Sequence, residues 1–472
     1  MARPSSKHRR HHQSRRNASR QRQDDLSGLP PLEVTIARLG DQGDGIAQAN
    51  LSSTTDEVTV YVAGSYVGDR LMVAPLKQTR HGVEAVIKEV LTPSPDRKPA
   101  ACGVASACGG CQFQTMKDAA YGAWKEQMVK GILSRASVNP EEWRPTFTAN
   151  YCNRRRARFA FRRLQNQVIC GFRGRQSHRI TGLDGCVILH DDLLKGLAYL
   201  TEKMLVTLAA GAAGEAEVTR ADNGLDVVLK FDKGAESLSP AEITALVSAA
   251  SHSPITRLSM MNSSHGAEKT LLYQRDEPVI TWQLPKDVGR DHLTVAITAG
   301  GFLQADPDAE MMMQADVFHA LKDFPNVVDL FAGCGTLSLP LLMHPSPSQR
   351  LLAVDSNTEG LMALQATAKA YDQHRVRTET RNLFKDPLTA NELSGFDAAI
   401  IDPPRAGAAA QILTLATSGI NRIVMVSCNP ISFARDARVL IDHGYHCRWI
   451  RMVDQFLLTS HAELVAEFDK DN

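Results

Sequence analysis

The chain has almost no net charge and no long apolar run, and its number of cysteines is odd. Its 472 residues include 53 basic and 52 acidic side chains, so overall basicity does not indicate a nucleic-acid partner. No apolar run approaches the ~20 residues of a membrane span, and the N-terminus has no secretory signal. We therefore expect a cytoplasmic protein with no membrane partner. Nine cysteines are an odd number, which argues against a disulfide framework.

Acidic residues are also missing from positions 1–23, where arginine and lysine recur. This composition predicts a disordered basic tail over residues 1–30. Such a tail would add salt-sensitive contacts to RNA phosphates. A mitochondrial transit peptide is the alternative, and we disfavour it because the segment has almost no apolar residues for an amphipathic face.

Three folded units are predicted after the tail. Residues 31–95 contain short β-rich runs separated by turns, which is typical of a small OB-like barrel that binds RNA. Residues 96–295 mix strands with helices and begin with a cysteine cluster. Residues 296–472 alternate continuous apolar strands with helices. This last pattern predicts an α/β fold with a Rossmann-like parallel sheet covered on both faces.

The central unit contains an arginine-rich stretch, "YCNRRRARFAFRR", at Tyr151–Arg163. Alternation places Arg154, Arg156 and Arg158 on one face, and aromatic side chains are interleaved with the arginines along the stretch. A solvated edge strand would have a similar pattern. The density of arginines among aromatics favours contact with RNA.

A glycine-rich turn follows the first strand of the last unit, in "VVDLFAGCGTLSLPL". Gly333 and Gly335 stand there without the third glycine of a dinucleotide fingerprint and without the lysine of a P-loop. The spacing is instead that of S-adenosylmethionine-dependent methyltransferases. Asp355 ends the second strand, where an acid can accept hydrogen bonds from ribose hydroxyls. A doubly wound domain with another nucleotide ligand is the alternative.

The motif "IIDPPRAG" places Asp402 at the carboxyl edge of the sheet. Enzymes that methylate exocyclic amines usually have an aromatic residue where Arg405 stands here. This departure favours a different target atom. One such atom is C5 of a pyrimidine, which is not nucleophilic by itself, and covalent catalysis by a cysteine and a base overcomes that difficulty.

Cys428 follows "NRIVMV" and is predicted to lie at the carboxyl end of the fifth strand. The sheet should end in an antiparallel hairpin, so Glu463 would begin its strand at the edge where Cys428 finishes. We predict that Cys428 is the nucleophile and Glu463 the base. A structural strand-end thiol is the alternative for Cys428. Asp454 and His461 compete with Glu463 for the role of base.

A second group of cysteines has the spacing C-x5-C-x2-C at Cys102, Cys108 and Cys111, and Cys186 can complete four ligands. Zinc ribbons usually offer paired C-x2-C knuckles. Only one such pair is present here, which favours an iron–sulfur cluster over zinc.

Together these motifs resemble the RNA uracil-C5 methyltransferase family, over about residues 31–472. They are most similar to its bacterial branch that carries a TRAM domain and a [4Fe–4S] cluster and acts on 23S rRNA. The motifs that carry the resemblance are the cysteine quartet, "GFLQ", "DLFAGCG", "DPPRAG", "SCNP" and "HAE". Two departures are Leu457, where the family usually has proline, and Asp306, where it often has asparagine.

The resemblance implies a TRAM barrel over 31–95, an iron–sulfur and RNA-binding domain over 96–295, and a methyltransferase domain over 296–472. Its implied [4Fe–4S] ligands are Cys102, Cys108, Cys111 and Cys186. The residues implied to bind S-adenosylmethionine are Gln304, Phe331, Thr336, Asp355, Asn382 and Asp402. It also implies catalysis by Cys428 and Glu463 in a monomer that acts on RNA, most closely 23S rRNA. A tRNA T-loop uridine methyltransferase and a catalytically inactive RNA-binding relative are the alternatives.

Overall fold

The computed structural model describes residues 25–51, 57–175, 177–232, 238–261, 268–288, 290–344 and 349–470. Most of the expected basic tail, residues 1–24, therefore lies outside the described residues. The chain divides into two compact units. The first comprises Met1–Ala101, Gln112–Met128 and Leu458–Ser460. The second comprises Cys102–Cys111, Val129–Leu457 and His461–Asn472. Within the part of the chain that the structure describes, none of the helices combines the length and apolar character of a membrane span.

The first unit contains a six-stranded sheet in the order β1-β5-β6-β4-β3-β2. Alternate apolar residues, such as Val60 with Val62 and Leu71 with Val73, are buried, so one face of the sheet covers a core. Its strands are β1 (Leu32–Thr35), β2 (Arg38–Leu39), β3 (Gly45–Asn50), β4 (Glu57–Val62), β5 (Arg70–Thr79) and β6 (Gly82–Thr92). Helix α1 (Asp118–Arg135) follows this sheet along the chain.

The second unit begins with a seven-stranded sheet in the order β11-β10-β9-β12-β13-β14-β15. Its strands are β9 (Arg156–Arg163), β10 (Val168–Arg173), β11 (Ile180–Thr181), β12 (Ala213–Ala221), β13 (Gly224–Phe231), β14 (Ile255–Met261) and β15 (Lys269–Gln274). Helices α2 (Asp191–Tyr199) and α3 (Pro240–Ser251) supply residues to the core under this sheet. A separate hairpin follows, made of β16 (Val279–Gln283) and β17 (His292–Ala296).

The last sheet has the order β20-β19-β18-β21-β22-β24-β23-β7, and β8 also pairs with β23. Its strands are β7 (Glu142–Trp143), β8 (Phe147–Thr148), β18 (Asn326–Leu330), β19 (Arg350–Asp355), β20 (Val376–Thr380), β21 (Ala398–Ile401), β22 (Arg422–Ser427), β23 (His446–Asp454) and β24 (Glu463–Asp469). Strands β18 to β22 are parallel, and β24 is antiparallel between β22 and β23. The predicted terminal hairpin is therefore present.

Helices alternate with the strands of this last sheet. They are α4 (Pro307–Leu321), α5 (Leu339–Met343), α6 (Thr358–Ala370), α7 (Ala390–Leu393), α8 (Ala409–Thr417) and α9 (Pro430–Asp442). All four residues of β21 are buried, as is expected of a central strand covered on both faces. The predicted α/β fold is confirmed for the strands β18 to β24 and the helices between them. Loops that follow β18, β19, β21 and β22 share one edge of the sheet, where ligands of such folds bind.

Candidate active site

The glycine-rich loop leaves β18 in a conformation that demands glycine. Gly335 has a φ of 81°, and a Cβ there would lie 2.7 Å from Cδ1 of Leu364. Gly333 has a φ of 56°, and its N–H donates to Oδ2 of Asp355 over 2.9 Å. Phe331 also has a positive φ, 64°, which is rare for a residue with a side chain. The Asp355 carboxylate at the end of β19 thus helps to hold the loop.

A pocket opens beside this loop. It is lined by Phe302, Gln304, Asp329, Phe331, Ala332, Gly333, Cys334, Thr336, Leu337 and Asp402. Four of the six expected cofactor residues belong to this lining, namely Gln304, Phe331, Thr336 and Asp402. Cys334, which also lines the pocket, is buried, and burial raises the pKa of its thiol.

Asn382, another expected cofactor residue, lies beyond the end of β20. Its side-chain oxygen accepts a hydrogen bond from the backbone N–H of Phe384 over 3.1 Å. The ring of Phe384 lies 5.3 Å from that of Phe331 and is half exposed. An aromatic pair and a polar turn therefore border the loop on the side of β20.

Carboxyl groups concentrate negative charge at this pocket. Burial, followed by the nearby charge of Asp355, raises the pKa of Asp402 to about 7. Burial, with added repulsion from Asp402 and Asp355, raises the pKa of Asp329 to about 7. Mutual repulsion of this kind is relieved when a cation binds. The pocket therefore suits a ligand that carries positive charge.

Cys428 lies between the end of β22 and the start of α9. The next residue, Asn429, caps α9 by accepting a hydrogen bond from Ile431 N–H over 3.1 Å, and it donates to the Arg405 carbonyl over 3.0 Å. These contacts fix the turn that presents the half-buried thiol. Burial, and then the charges of Glu463 and Asp402, raises the pKa of the Cys428 thiol to about 11. Arg405 acts in the opposite direction. In the free protein the thiol is therefore protonated at neutral pH.

Glu463 begins β24 directly across from Cys428. The β22–β24 register pairs Ser427 with Leu464, so the residue after Ser427 faces the residue before Leu464. Glu463 is 2% exposed. Burial and the charge of Asp402 raise the pKa of its carboxyl group well above the usual value. A buried carboxyl group with a raised pKa, placed beside a candidate nucleophile, is a candidate for proton transfer in catalysis.

The other candidate bases have weaker links to the thiol. Asp454 ends β23, the strand beyond β24, and His461 is exposed with its ring 6.2 Å from that of Phe456. The charged groups that act on the Cys428 thiol are Glu463, Asp402 and Arg405. This geometry favours Glu463 over both competitors.

Gln455 is a site residue that sequence reasoning missed. Its Nε2 donates to Oε1 of Gln304 over 2.7 Å and to Oε2 of Glu463 over 2.9 Å. Its Oε1 accepts from Ala305 N–H over 3.0 Å. Gln455 lies 151 residues from Gln304 and 8 residues from Glu463 in the chain. No local sequence motif therefore predicts these hydrogen bonds. Its position one residue after β23 and eight before Glu463 was the available signal.

Cys102 and Cys186 lie within electrostatic range of Cys108, and Cys111 and Cys186 lie within that range of Arg154. Burial raises the pKa of Cys108, and the charges of Cys186 and Cys102 add to this effect. Cys111 and Cys186 both act on the guanidinium of Arg154, whose pKa burial lowers. All four thiols are free of disulfides. Among the described residues, no group of three or more His, Cys, Asp or Glu side chains is arranged to hold a metal ion.

Comparison with known proteins identifies the chain. The family model for tRNA (uracil-5-)-methyltransferase matches residues 296–466. An uncharacterized RNA methyltransferase of Rhizobium meliloti (strain 1021) is 32% identical over 449 residues, covering 93% of this chain and 99% of the relative. The 23S rRNA (uracil(1939)-C(5))-methyltransferase RlmD of Acinetobacter baumannii (strain AYE) is 29% identical, covering 93% of this chain and 96% of RlmD.

A solved structure shares the fold along most of the chain. The tRNA (uracil-54, C5)-methyltransferase of Pyrococcus abyssi, crystallised with S-adenosyl-L-homocysteine, matches with a TM-score of 0.67 and 19% identity. The match covers 92% of this chain and 99% of that one. Fold and pocket thus define an S-adenosylmethionine-dependent methyltransferase. The chain belongs to the RNA (uracil-5-)-methyltransferase family. It is an enzyme that transfers a methyl group from S-adenosylmethionine to RNA.

Proposed function

We propose that this enzyme methylates C5 of a uridine in 23S rRNA through a covalent intermediate on Cys428. The register that sets Cys428 opposite Glu463, beside Asp402, is the observation that carries the proposal. Both groups stand at the carboxyl edge of the sheet, next to the pocket of the glycine-rich loop. The likeness to RlmD over nearly the full length of both chains supports 23S rRNA as the target.

The chemistry starts at the Cys428 thiol. It gives its proton to water, and the thiolate sulfur forms a bond to C6 of the flipped-out uridine. The electron pair of the C5=C6 double bond moves to C5 and the C4 carbonyl oxygen, which makes C5 the carbon of an enolate. Bound S-adenosylmethionine supplies the methyl group that the nucleophilic C5 takes up. Glu463 then removes the C5 proton, the double bond re-forms, and the C6–sulfur bond breaks to release the cysteine.

The methyl donor is held by the residues around the glycine-rich loop. The proposed set is Gln304, Phe331, Thr336, Asp355, Asn382 and Asp402. S-adenosylmethionine carries a sulfonium and an ammonium group, and a pocket that contains Asp329 and Asp402 suits such a cation. Asp355 accepts from the ribose hydroxyls with the carboxylate oxygens that also hold the loop.

The test of this function is to map 5-methyluridine in the rRNA and tRNA of a deletion strain, and then to restore it with plasmid-borne variants. We expect one 23S rRNA uridine to lose its methyl group, wild-type protein to restore it, and Cys428→Ala to fail although it still binds S-adenosylmethionine. A lost methyl group in a tRNA T-loop would instead favour the second candidate function. The family model named for tRNA (uracil-5-)-methyltransferase keeps that candidate open.

We also propose that Cys102, Cys108, Cys111 and Cys186 hold a [4Fe–4S] cluster. All four thiols are free of disulfides, Cys102 and Cys186 lie within electrostatic range of Cys108, and Cys111 acts with Cys186 on Arg154. Such an arrangement fits this group, because its thiolates bind separate corners of a cube and stand farther apart than the ligands of one ion. Protein purified without oxygen should contain about four irons and four sulfides per chain. Stoichiometric zinc in their place would overturn the assignment.

The domain assignment follows from these proposals. The β1–β6 sheet is a TRAM domain of the OB-like type that spans residues 31–95 and binds RNA. Residues 96–295 form the iron–sulfur and RNA-binding domain, and residues 296–472 form the methyltransferase domain of a monomeric enzyme. The basic tail over residues 1–30 adds phosphate contacts.

A further inference from the structure

Most arginines at the start of the arginine-rich stretch are committed to carboxylates. Arg155 pairs with Glu310 at 2.6 Å, and both side chains are buried. Arg156 pairs with Glu217 at 2.6 Å. Arg158 lies 3.5 Å from the same Glu217. A guanidinium with a carboxylate partner gains less from a phosphate, because the first charge must be displaced or shared. Arg155, Arg156 and Arg158 are therefore weaker candidates for RNA contact than an arginine of the stretch that has no carboxylate partner.

The other end of β9 borders a cavity of about 510 Å³. Its charged and titratable lining residues are Arg162, Arg173, His178, Arg179 and Asp232. The lining therefore contains three arginines and one histidine but only one acidic residue. The volume lies in the range of ligand sites, roughly 300–1,000 Å³.

Two of these arginines are not engaged by the protein itself. Within the described ranges, the guanidinium groups of Arg162 and Arg179 have neither an ion-pair nor a hydrogen-bond partner, and both residues are exposed. The third, Arg173, forms an ion pair with Glu215, with 3.3 Å between its Nη2 and the carboxylate Oε1, and Arg158 pairs with the same carboxylate. Unpaired guanidinium groups around a concave surface are suited to a phosphodiester, which they can bind with two parallel hydrogen bonds.

We propose that this cavity binds a nucleotide of the RNA substrate, away from the target uridine, with its phosphodiester on Arg162 and Arg179. This proposal rests on the proposed function, since it takes RNA as the substrate. The RNA would then contact the sheet that contains β9 and β12 as well as the proposed active site at Cys428. It gives the enzyme a contact that recognises the strand around the uridine and not the uracil itself.

The test compares RNA binding by the full-length holoenzyme at increasing KCl concentration. The double variant Arg162→Gln/Arg179→Gln should reduce the slope of log K against log[salt] by roughly 1.5, the value for two lost phosphate contacts. Arg162→Lys/Arg179→Lys should restore most of the slope. Arg158→Gln is the matched control, because it removes an exposed arginine from the same strand that has carboxylate partners, and its slope should equal that of the wild type.

A wild-type slope in the double variant, or an equal loss in Arg158→Gln, would overturn the cavity proposal. Methyl transfer to the same RNA by the wild-type enzyme is measured in parallel. Its absence would count against the proposed function, while the salt slopes would still decide whether the cavity contacts RNA.

Gln455 carries a second inference, from hydrogen bonding. The Ala305 N–H can only donate, so the Gln455 oxygen faces it and the Gln455 amide nitrogen must be the donor to Gln304 and Glu463. The buried side chain therefore uses its oxygen and both N–H groups. Gln304 must in turn present its oxygen to Gln455, which leaves its own amide nitrogen for the pocket that it lines.

We infer that Gln455 is a positioning residue that aims the Glu463 carboxylate at the C5 proton and links it to the cofactor residue Gln304. The inference rests on the proposed function of Glu463. Among the groups that act on Glu463, Gln455 is the one whose hydrogen bond favours the ionised carboxylate.

Gln455→Met keeps the length of the side chain and removes both donors. We expect the acidic limb of the kcat–pH profile to move up by about one unit, and a covalent RNA–enzyme adduct to accumulate because C5 proton removal is slowed. Gln349→Met is the matched control, because Gln349 is a buried glutamine that donates to the carbonyl of Phe324. A purely structural role would lower the amount of folded enzyme in both variants without moving the pH profile. An unmoved profile in Gln455→Met would overturn the inference, whereas absence of any adduct in Glu463→Gln would count against Glu463 as the base.

Discussion

At the scale of single residues, Cys428 is the proposed nucleophile, and its environment in the free enzyme favours the protonated thiol. The pKa of about 11 arises from burial and from two carboxyl neighbours, Glu463 and Asp402. The Cys428 thiol can lose its proton near neutral pH only when the negative charge of these two carboxyl groups is offset. The sulfonium of S-adenosylmethionine can offset the charge of Asp402, which lines the same pocket. Cofactor binding would then activate the nucleophile before the RNA is attacked.

This coupling predicts a difference between two ligands of nearly the same shape. S-adenosylmethionine should lower the pKa of Cys428 by about one unit relative to S-adenosylhomocysteine, because only the former carries the sulfonium charge. The measurement is the rate of iodoacetamide alkylation between pH 7 and about 11, read for the Cys428 peptide by mass spectrometry. The two ligands should shield the Cys428 thiol from iodoacetamide to a similar extent. A difference in alkylation between the two complexes therefore reports the pKa of the thiol and not its shielding. Equal pKa values in the two complexes would contradict the coupling.

At the scale of elements, the turn after β18 combines backbone strain with tight packing. Gly333 and Gly335 both have positive φ, but they differ in the space around a Cβ. Nothing lies within 4 Å of a Cβ at Gly333, whereas a Cβ at Gly335 would meet Leu364 of α6. The loop thus leaves no room for a side chain at Gly335, where it packs against α6, but it leaves room for one at Gly333.

Alanine at each glycine separates these two contributions. Gly333→Ala should cost about 1–2 kcal/mol of unfolding free energy, the price of a left-handed conformation. Gly335→Ala adds a steric clash and should cost about 1–3 kcal/mol more, together with weaker binding of S-adenosylmethionine. Urea unfolding and calorimetry measure the two quantities. Equal losses in both variants would show that packing against Leu364 does not shape the loop.

At the scale of the whole molecule, the acidic pocket makes stability depend on pH. The pKa of Asp329 is about 7 in the folded protein and near 3.8 in the unfolded chain, so the folded state binds the extra proton. Its stabilising contribution is complete below pH ~4 and is lost as the pH rises through 7. Asp402 behaves in the same direction. The enzyme therefore gives up stability at neutral pH for a pocket that attracts a cation.

Asp329→Asn should reduce this loss. The unfolding free energy of the wild type should fall between about pH 4 and 7 by up to about 1.4 kcal/mol per pH unit for each such group, and the variant should fall less steeply. Chemical unfolding at several pH values is the measurement. Asp386→Asn is a control on an exposed acid whose pairing with Arg381 lies outside the pocket. A parallel decline in Asp329→Asn and the wild type would count against the account of the pocket.

The sequence predicted the parts of the molecule that depend on local pattern and topology. Apolar strands and the glycine spacing predicted the α/β unit, and strand direction alone predicted that Glu463 begins across from the end of β22. Contacts between distant residues could not be predicted. Neither the Gln455–Gln304 hydrogen bond nor the Arg155–Glu310 pair leaves a periodic signal. The carboxylate partners of Arg155, Arg156 and Arg158 lie far away in the chain, so the sequence could not show which arginines of the stretch are already paired.

The covalent role of Cys428 is the central claim, and trapping its adduct tests it most directly. Glu463→Gln enzyme is incubated with unmodified RNA and S-adenosylmethionine, and the product is analysed by denaturing electrophoresis and peptide mass spectrometry. The account predicts a stable adduct that joins Cys428 to a methylated uridine, and no adduct in Cys428→Ala/Glu463→Gln. Wild-type turnover by Glu463→Gln, or an adduct on another residue, would contradict it.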